Sequence, residues 1–468
     1  MVRSFDVVIL GAGAGAKLVW NGVRGRSVAV VEPALVGGRC PFLACVPSKA
    51  MLRAATAWRL AREGRFTGLF TGAVPAREAY SRAVAHRERL VNGRDDGAAA
   101  AALERTGAEL LRGRGRVVRP GVVEVADTEV GYRDLVLNTG SVPEVPDVPG
   151  LAECPTWTSE QAMSTDEYPE SLLVLGGGAV GCETAYLFAA FGCAVTLVQR
   201  GPRLIPREED EASEEVAQAL ERVGVRVLRN TTPTGARRHG GGARVRLADG
   251  RTVEASRILF ATGRRPDTSG LGLEVLGLHP EPGAPLTVDD RCRVAGAQNL
   301  WAVGDVTGVS PFTHTAHYQG RVVAANLSGH VVRADYRGVP RTVYTDPVLA
   351  SVGHTEASAR AAGVDPLVAA FPVSGTVRSA IDDAREGWVK LVADSARGVL
   401  VGATAVGGRA EEWISEVSQA VRAELPVATL VDTVHPFPTF SEALEGPLWE
   451  LASRLPRAVA PAAVSGAG

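Results

Sequence analysis

Lysine is almost missing from this chain. Its 468 residues include 50 basic ones, yet only Lys17, Lys49 and Lys390 are lysines. In so arginine-rich a chain, each lysine stands out. Long apolar runs are missing too: none approaches the ~18–20 residues of a membrane helix, so no membrane association is expected. Neither sign of charge is in excess, at a formal net charge of −2, and bulk electrostatics gives no case for nucleic acid or an anionic membrane. Cysteine is sparse. Six cysteines, with Cys154, Cys182, Cys193 and Cys292 isolated, do not make a secreted disulfide framework, and the cytoplasm is the expected compartment. The opening apolar stretch is too short for a signal peptide and runs into a glycine loop, so it reads as a first strand.

A chain of this length is expected to divide into two to four domains. Residues 6–10 (DVVIL) are apolar without a break after Asp6, as in a strand buried on both faces of a parallel sheet. Gly11, Gly13 and Ala16 follow, then a helical stretch, a second strand over residues 27–31 (SVAVV), and Glu32. This order and spacing predict a dinucleotide-binding unit. Gly11 permits the tight turn, Gly13 lets the backbone approach a pyrophosphate, and Ala16 is small enough for helix–strand packing. Glu32 is placed to accept hydrogen bonds from a ribose.

Residues 37–52 (GGRCPFLACVPSKAML) come directly after this unit. They hold Cys40 and Cys45, then Lys49 one helical turn later. Two buried cysteines at a helix start would explain them. So would a redox-active pair on the first turns of a helix, beside the far end of an extended dinucleotide; FAD fits that geometry better than NAD.

A second unit begins at residue 172 (LLVLGGGAVGCETAYL), where Gly176, Gly178 and Gly181 complete the glycine pattern between strand and helix. Its second strand ends in Gln199 and Arg200 rather than an acid, with Arg203 and Arg207 close by. Guanidiniums without an acid favour a 2′-phosphate, hence NADPH over NADH.

The run GGRCPFLACVPSK resembles the active-site segment of the FAD-dependent pyridine nucleotide-disulfide oxidoreductases, which include dihydrolipoamide dehydrogenase, glutathione reductase and mercuric reductase. Later segments resemble the same family in order: residues 135–141 (LVLNTGS), 261–266 (ATGRRP), 300–306 (LWAVGDV) and 339–359 (VPRTVYTDPVLASVGHTEASA). Asn138 stands where the pattern has alanine. The resemblance implies an α/β fold with two Rossmann-like domains and a C-terminal α+β dimerisation domain. Residues 1–149 and 277–338 would bind FAD, residues 150–276 NAD(P), and residues 339–468 would form the interface of a homodimer. It adds Gly38, Arg39, Gly115, Thr139, Gly140, Asp305 and Thr313 as FAD contacts and Gly263 on the NAD(P) side. Lys49 would pair with Glu183 beside the flavin, Cys45 would face the ring, and Cys40 would exchange with the acceptor. No metal ligands are expected, and His314 and His317 lack a cysteine or acid at ligand spacing.

One part of the pattern is absent. Residues 435–442 (HPFPTFSE) align with a segment whose second histidine is the acid/base, and Phe437 occupies that place while the orienting Glu442 remains. General acid–base help of this kind is worth about 10²–10⁴-fold. Either the acceptor, a small disulfide, a quinone or a metal ion, does not need that proton, or Cys40 performs proton-excluding thiolate chemistry. A flavin-bearing redox sensor is the non-enzymatic reading. The tail after residue 453 lacks the paired cysteines of mercuric reductase, which argues against mercury.

Overall fold

The computed structural model describes residues 2–64, 74–384 and 386–455; nearly all of the C-terminal tail lies outside them. Strand β1 (Arg3–Leu10) sits between β2 (Val28–Glu32) and β6 (Thr128–Leu137), parallel to both. Both its faces are covered, so its apolar run continues without alternation. On the outer side of β2, β3 (Glu109–Arg112) adds in parallel. From β6 the sheet continues as an antiparallel meander through β5 (Val122–Val125) and β4 (Gly115–Arg119). Much later the strand Leu300–Ala302 returns to pair with β6, completing a seven-stranded sheet. Helix α1 (Ala14–Gly22) covers one face beside the helix Thr313–Leu327.

A second sheet of five parallel strands is centred on Ser171–Leu175, flanked by Ala194–Val198 and Arg257–Phe260. A three-stranded antiparallel sheet within residues 233–255 packs against it. The C-terminal part is an antiparallel five-stranded sheet covered by the helices Ala410–Ala423 and Glu445–Arg454. No helix among the described residues is long and apolar enough to cross a membrane.

The C-terminal sheet is tied to the second unit by buried charge. Arg341 donates from Nε (2.8 Å) and Nη2 (3.0 Å) to the Glu208 carboxylate, which also accepts from Ser351 Oγ at 2.6 Å. Beside it, Lys390 Nζ lies 3.2 Å from Glu209 Oε2. Both glutamates end the loop that carries Arg200 and Arg207.

Candidate active site

Cys40 and Cys45 do not share one helix, contrary to the sequence expectation. Helix α2 (Arg39–Leu43) stops, Ala44 breaks at φ −134° and ψ −94°, and α3 (Cys45–Arg62) begins. In one continuous helix the two side chains would point ~140° apart and sit ~7.5 Å apart along the axis. The break brings two free thiols into hydrogen-bonding contact instead. Thr313, at the start of its helix, places Oγ1 3.4 Å from Cys45 Sγ. The Cys45 thiol is lowered to about 6, chiefly by the hydrogen bond from Cys40; burial opposes this, while the Thr313 hydroxyl and the Lys49 charge assist. Cys40 is raised, first by the same hydrogen bond and then by burial. The pair thus shares one proton, which Cys40 keeps.

A titration checks this. Thiolate absorbance of the reduced protein is expected to show a first ionisation near pH 6 and no second one until strongly alkaline pH. Cys40→Ala should move the first midpoint upward, toward the ordinary thiol value of about 8.5. A wild-type midpoint at that ordinary value would contradict the geometry.

Lys49 Nζ lies 2.8 Å from Glu183 Oε2. Tyr344, from the C-terminal sheet, completes this pair. Its N–H donates to Glu183 Oε1 at 3.0 Å, and its ring centroid is 4.5 Å from Lys49 Nζ.

Cys40, Cys45, Lys49, Glu183 and Thr313 line one cavity of about 640 Å³, a size suited to a small-molecule or cofactor site. Gly11, Gly13, Glu32 and Gly115 line it together with Gly38, Arg39, Thr139, Gly140, Asp305 and Thr313. Gly38 has φ +74°, and a Cβ there would lie 2.9 Å from Gly13 Cα, so the cysteine segment presses against the first glycine turn. Glu32 accepts N–H bonds from Ala12 (2.7 Å) and Ala34 (2.8 Å), which fixes its carboxylate in the cavity wall. Asp305 accepts from Ser141 Oγ at 2.6 Å, and Arg264 Nε donates to that same oxygen at 2.8 Å. Arg39 and Arg264 converge on Glu160 at 3.1 and 3.0 Å. Thr139 donates its hydroxyl to Asp267 O at 2.6 Å. Ala16 is fully buried in the core rather than in the wall. The N-terminus of α1, with no acidic residue in its first turn, suits an anion there. A long groove with an acid near one end, a glycine turn midway and the thiols beyond fits FAD.

Gly176, Gly178 and Gly181 form the second glycine turn, outside the cysteine cavity. Gln199 is turned back into this turn, accepting from Gly177 N (2.9 Å) and donating to Arg203 O (3.0 Å), so it braces the turn rather than facing a ribose. Arg203 is paired with Asp210. Arg200 and Arg207 are exposed and carry no ion pair among the described residues. Gly263 accepts the Glu144 N–H at 3.0 Å, where the two units meet.

Phe437 does not line this cavity within its own chain; it is 74% exposed on the C-terminal part. Glu442 accepts from Val377 N at 3.1 Å, but its Oε2 is buried without a partner among the described residues. His435 cannot take over as the base. Its ring nitrogens face Glu445 Oε1 at 3.2 Å and Glu416 Oε1 at 3.0 Å, and its side chain is 3% exposed. No group of three or more His, Cys, Asp or Glu forms a metal site among the described residues.

This architecture has known counterparts. The family model "Pyridine nucleotide-disulphide oxidoreductase" matches residues 5–320, and the family's dimerisation domain matches residues 339–447. The chain belongs to the pyridine nucleotide-disulfide oxidoreductase family, whose members are FAD-dependent enzymes that use NAD(P)H. Mercuric reductase of Streptomyces lividans is 35% identical over 453 residues, covering 94% of this chain and 95% of that protein. Dihydrolipoyl dehydrogenase of Thermus scotoductus is 34% identical over 451 residues, covering 95% and 96%. Among solved structures, the Cu(II) complex of the HOCl-induced flavoprotein disulfide reductase RclA of Escherichia coli superposes with a TM-score of 0.84. It has 26% identity and covers 96% of this chain and all of that one.

Proposed function

We propose that this chain is a cytoplasmic, homodimeric, NADPH-dependent flavoprotein that reduces a thiophilic metal ion through Cys40 and Cys45. In this reading residues 1–149 and 277–338 hold FAD, residues 150–276 hold NADPH, and residues 339–468 form the dimer interface. Bound FAD supplies the relay that takes a hydride from the pyridine nucleotide and passes an electron pair to the cysteines. Lys49, held by Glu183 and Tyr344, keeps a positive charge beside the relay and the Cys45 thiolate.

The observation that carries the choice of acceptor is the unfilled acid position. Phe437 has no proton to give, Glu442 Oε2 has no donor, and His435 is engaged by two glutamates. Reducing a disulfide or a quinone takes up two protons per electron pair. Reducing a dication to the metal, or two dications to monocations, takes up none. Thiolates are ligands suited to soft ions, and binding one to both sulfurs releases the proton that Cys40 keeps. The mercuric reductase likeness and the copper complex of RclA support this class. Arg200 and Arg207, with free guanidiniums, support NADPH.

NADPH oxidation by the flavin-loaded protein should be faster with cupric ion than with lipoamide, glutathione disulfide or a quinone, by about 10²-fold or more, the worth of the missing acid. Disulfide or quinone turnover equal to that with metal would sink this choice of acceptor.

A further inference from the structure

Asn138 departs from the family pattern and lies at the centre of the cofactor cavity. It leaves β6 directly beneath the first glycine turn, its own N–H donating to Leu10 O at 2.8 Å. The residue is 8% exposed and lines the cavity. Its Nδ2 donates to Gly11 O at 3.2 Å. The carboxamide occupies a slot that exists because three surrounding residues lack side chains. A Cβ on Gly13 would lie 2.8 Å from Nδ2, one on Gly15 2.9 Å from Oδ1, and one on Gly304 3.3 Å from Oδ1. One side chain therefore touches the turn that begins α1 and the residue just before Asp305.

An amide nitrogen carries two hydrogens. One is used by Gly11 O, and the second has no acceptor among the described residues. A buried donor is costly to leave unpaired, and this one opens onto a cavity whose glycine turn and helix N-terminus suit a pyrophosphate. Alanine, the residue of the related pattern, supplies neither contact.

We propose that Asn138 is a positioning residue for the FAD pyrophosphate. One amide hydrogen ties the glycine turn down through Gly11; the other is offered to a phosphate oxygen. The carboxamide also keeps the Gly304–Asp305 step in register with the turn. The same cavity wall then serves the phosphates and, through Asp305, the adjoining part of the cofactor.

The test compares the flavin-loaded wild type with Asn138→Ala and Asn138→Asp, measuring the FAD release rate and the flavin-to-protein ratio. Asn138→Ala should speed release about tenfold, roughly the worth of one hydrogen bond to a charged group. Asn138→Asp should speed it further, because it keeps the shape and swaps the donor for a negative charge. Both hydrogen bonds need the amide donor, so Asp, which offers none and adds a negative charge facing the phosphates, is the more severe change. Wild-type release from Asn138→Ala, or slower release from Asp than from Ala, would overturn the proposal. It rests on FAD being the occupant. Wild-type protein isolated without flavin would sink that reading itself, whereas flavin-loaded variants that release normally would sink only the role of Asn138.

Discussion

Phe437→His should raise turnover of a small disulfide by about 10²-fold or more while leaving metal-ion turnover unchanged. The gain is the usual worth of a positioned general acid. The substitution itself is mild, because Phe437 is 74% exposed and supports no core. The orienting group is already present. Glu442 is held by the Val377 N–H through one oxygen, and its other oxygen is buried with no donor. A buried carboxylate oxygen left without a partner costs about 1–3 kcal/mol or more, so an imidazole N–H arriving there is favoured. Adding Glu442→Ala to Phe437→His should cancel most of the gain by removing the acceptor that orients the ring. Cys40, the proton-holding member of the pair, gives up its proton and attacks the substrate disulfide as a thiolate, and the acid protonates the substrate thiol that departs. If disulfide turnover stays flat in Phe437→His, position 437 does not reach the thiols in the dimer. Equal gains for disulfide and metal would instead show that the substitution changes access rather than proton supply.

The parts of this site that are close in sequence were legible from it. Cys40, Cys45 and Lys49 lie within ten residues, and the glycine turns announce themselves by strand, turn and helix in fixed order. Strands such as β1 were legible because burial on both faces removes the polar alternation. The break at Ala44 was not. Alanine favours helix, and nothing local says that the chain must turn there; contact between the two sulfurs and packing on Gly13 override the propensity. Tyr344 was missed for another reason. It reaches Glu183 across 161 residues of chain, and a backbone N–H leaves no mark in the sequence. Gln199 was read with Arg200 as the acid-free strand end that sets the nicotinamide preference. Its amide satisfies the glycine turn instead, and that choice depends on hydrogen-bond geometry, not residue type.

The third lysine gives the largest expected stability effect. Lys390→Met should lower the unfolding free energy by about 3–5 kcal/mol, the usual cost of leaving a buried charge without its partner. Lys390 Nζ approaches Glu209, Glu211 and Glu356 at 3.2, 3.3 and 3.2 Å. Glu211 is 59% exposed, so its pairing adds little. Glu209 is the one that matters: its side chain is 7% exposed and, among the described residues, otherwise accepts only the Glu356 N–H, at 2.8 Å. The Lys390 ammonium is itself disfavoured by burial, yet its pKa is raised because the carboxylates outweigh that cost. A raised lysine pKa means that the contribution is fully present at neutral pH and is lost only as pH climbs through the folded value. The double substitution Lys390→Met with Glu209→Gln should recover most of the loss, since it removes both charges rather than stranding one. Urea titrations of the three proteins decide it; a loss below about 1 kcal/mol in Lys390→Met would place the cluster among ordinary surface pairs. The consequence reaches the active site. Glu208 and Glu209 anchor the loop that presents Arg200 and Arg207, so the stranded carboxylate should also loosen that loop and raise KM for the pyridine nucleotide more than it lowers kcat.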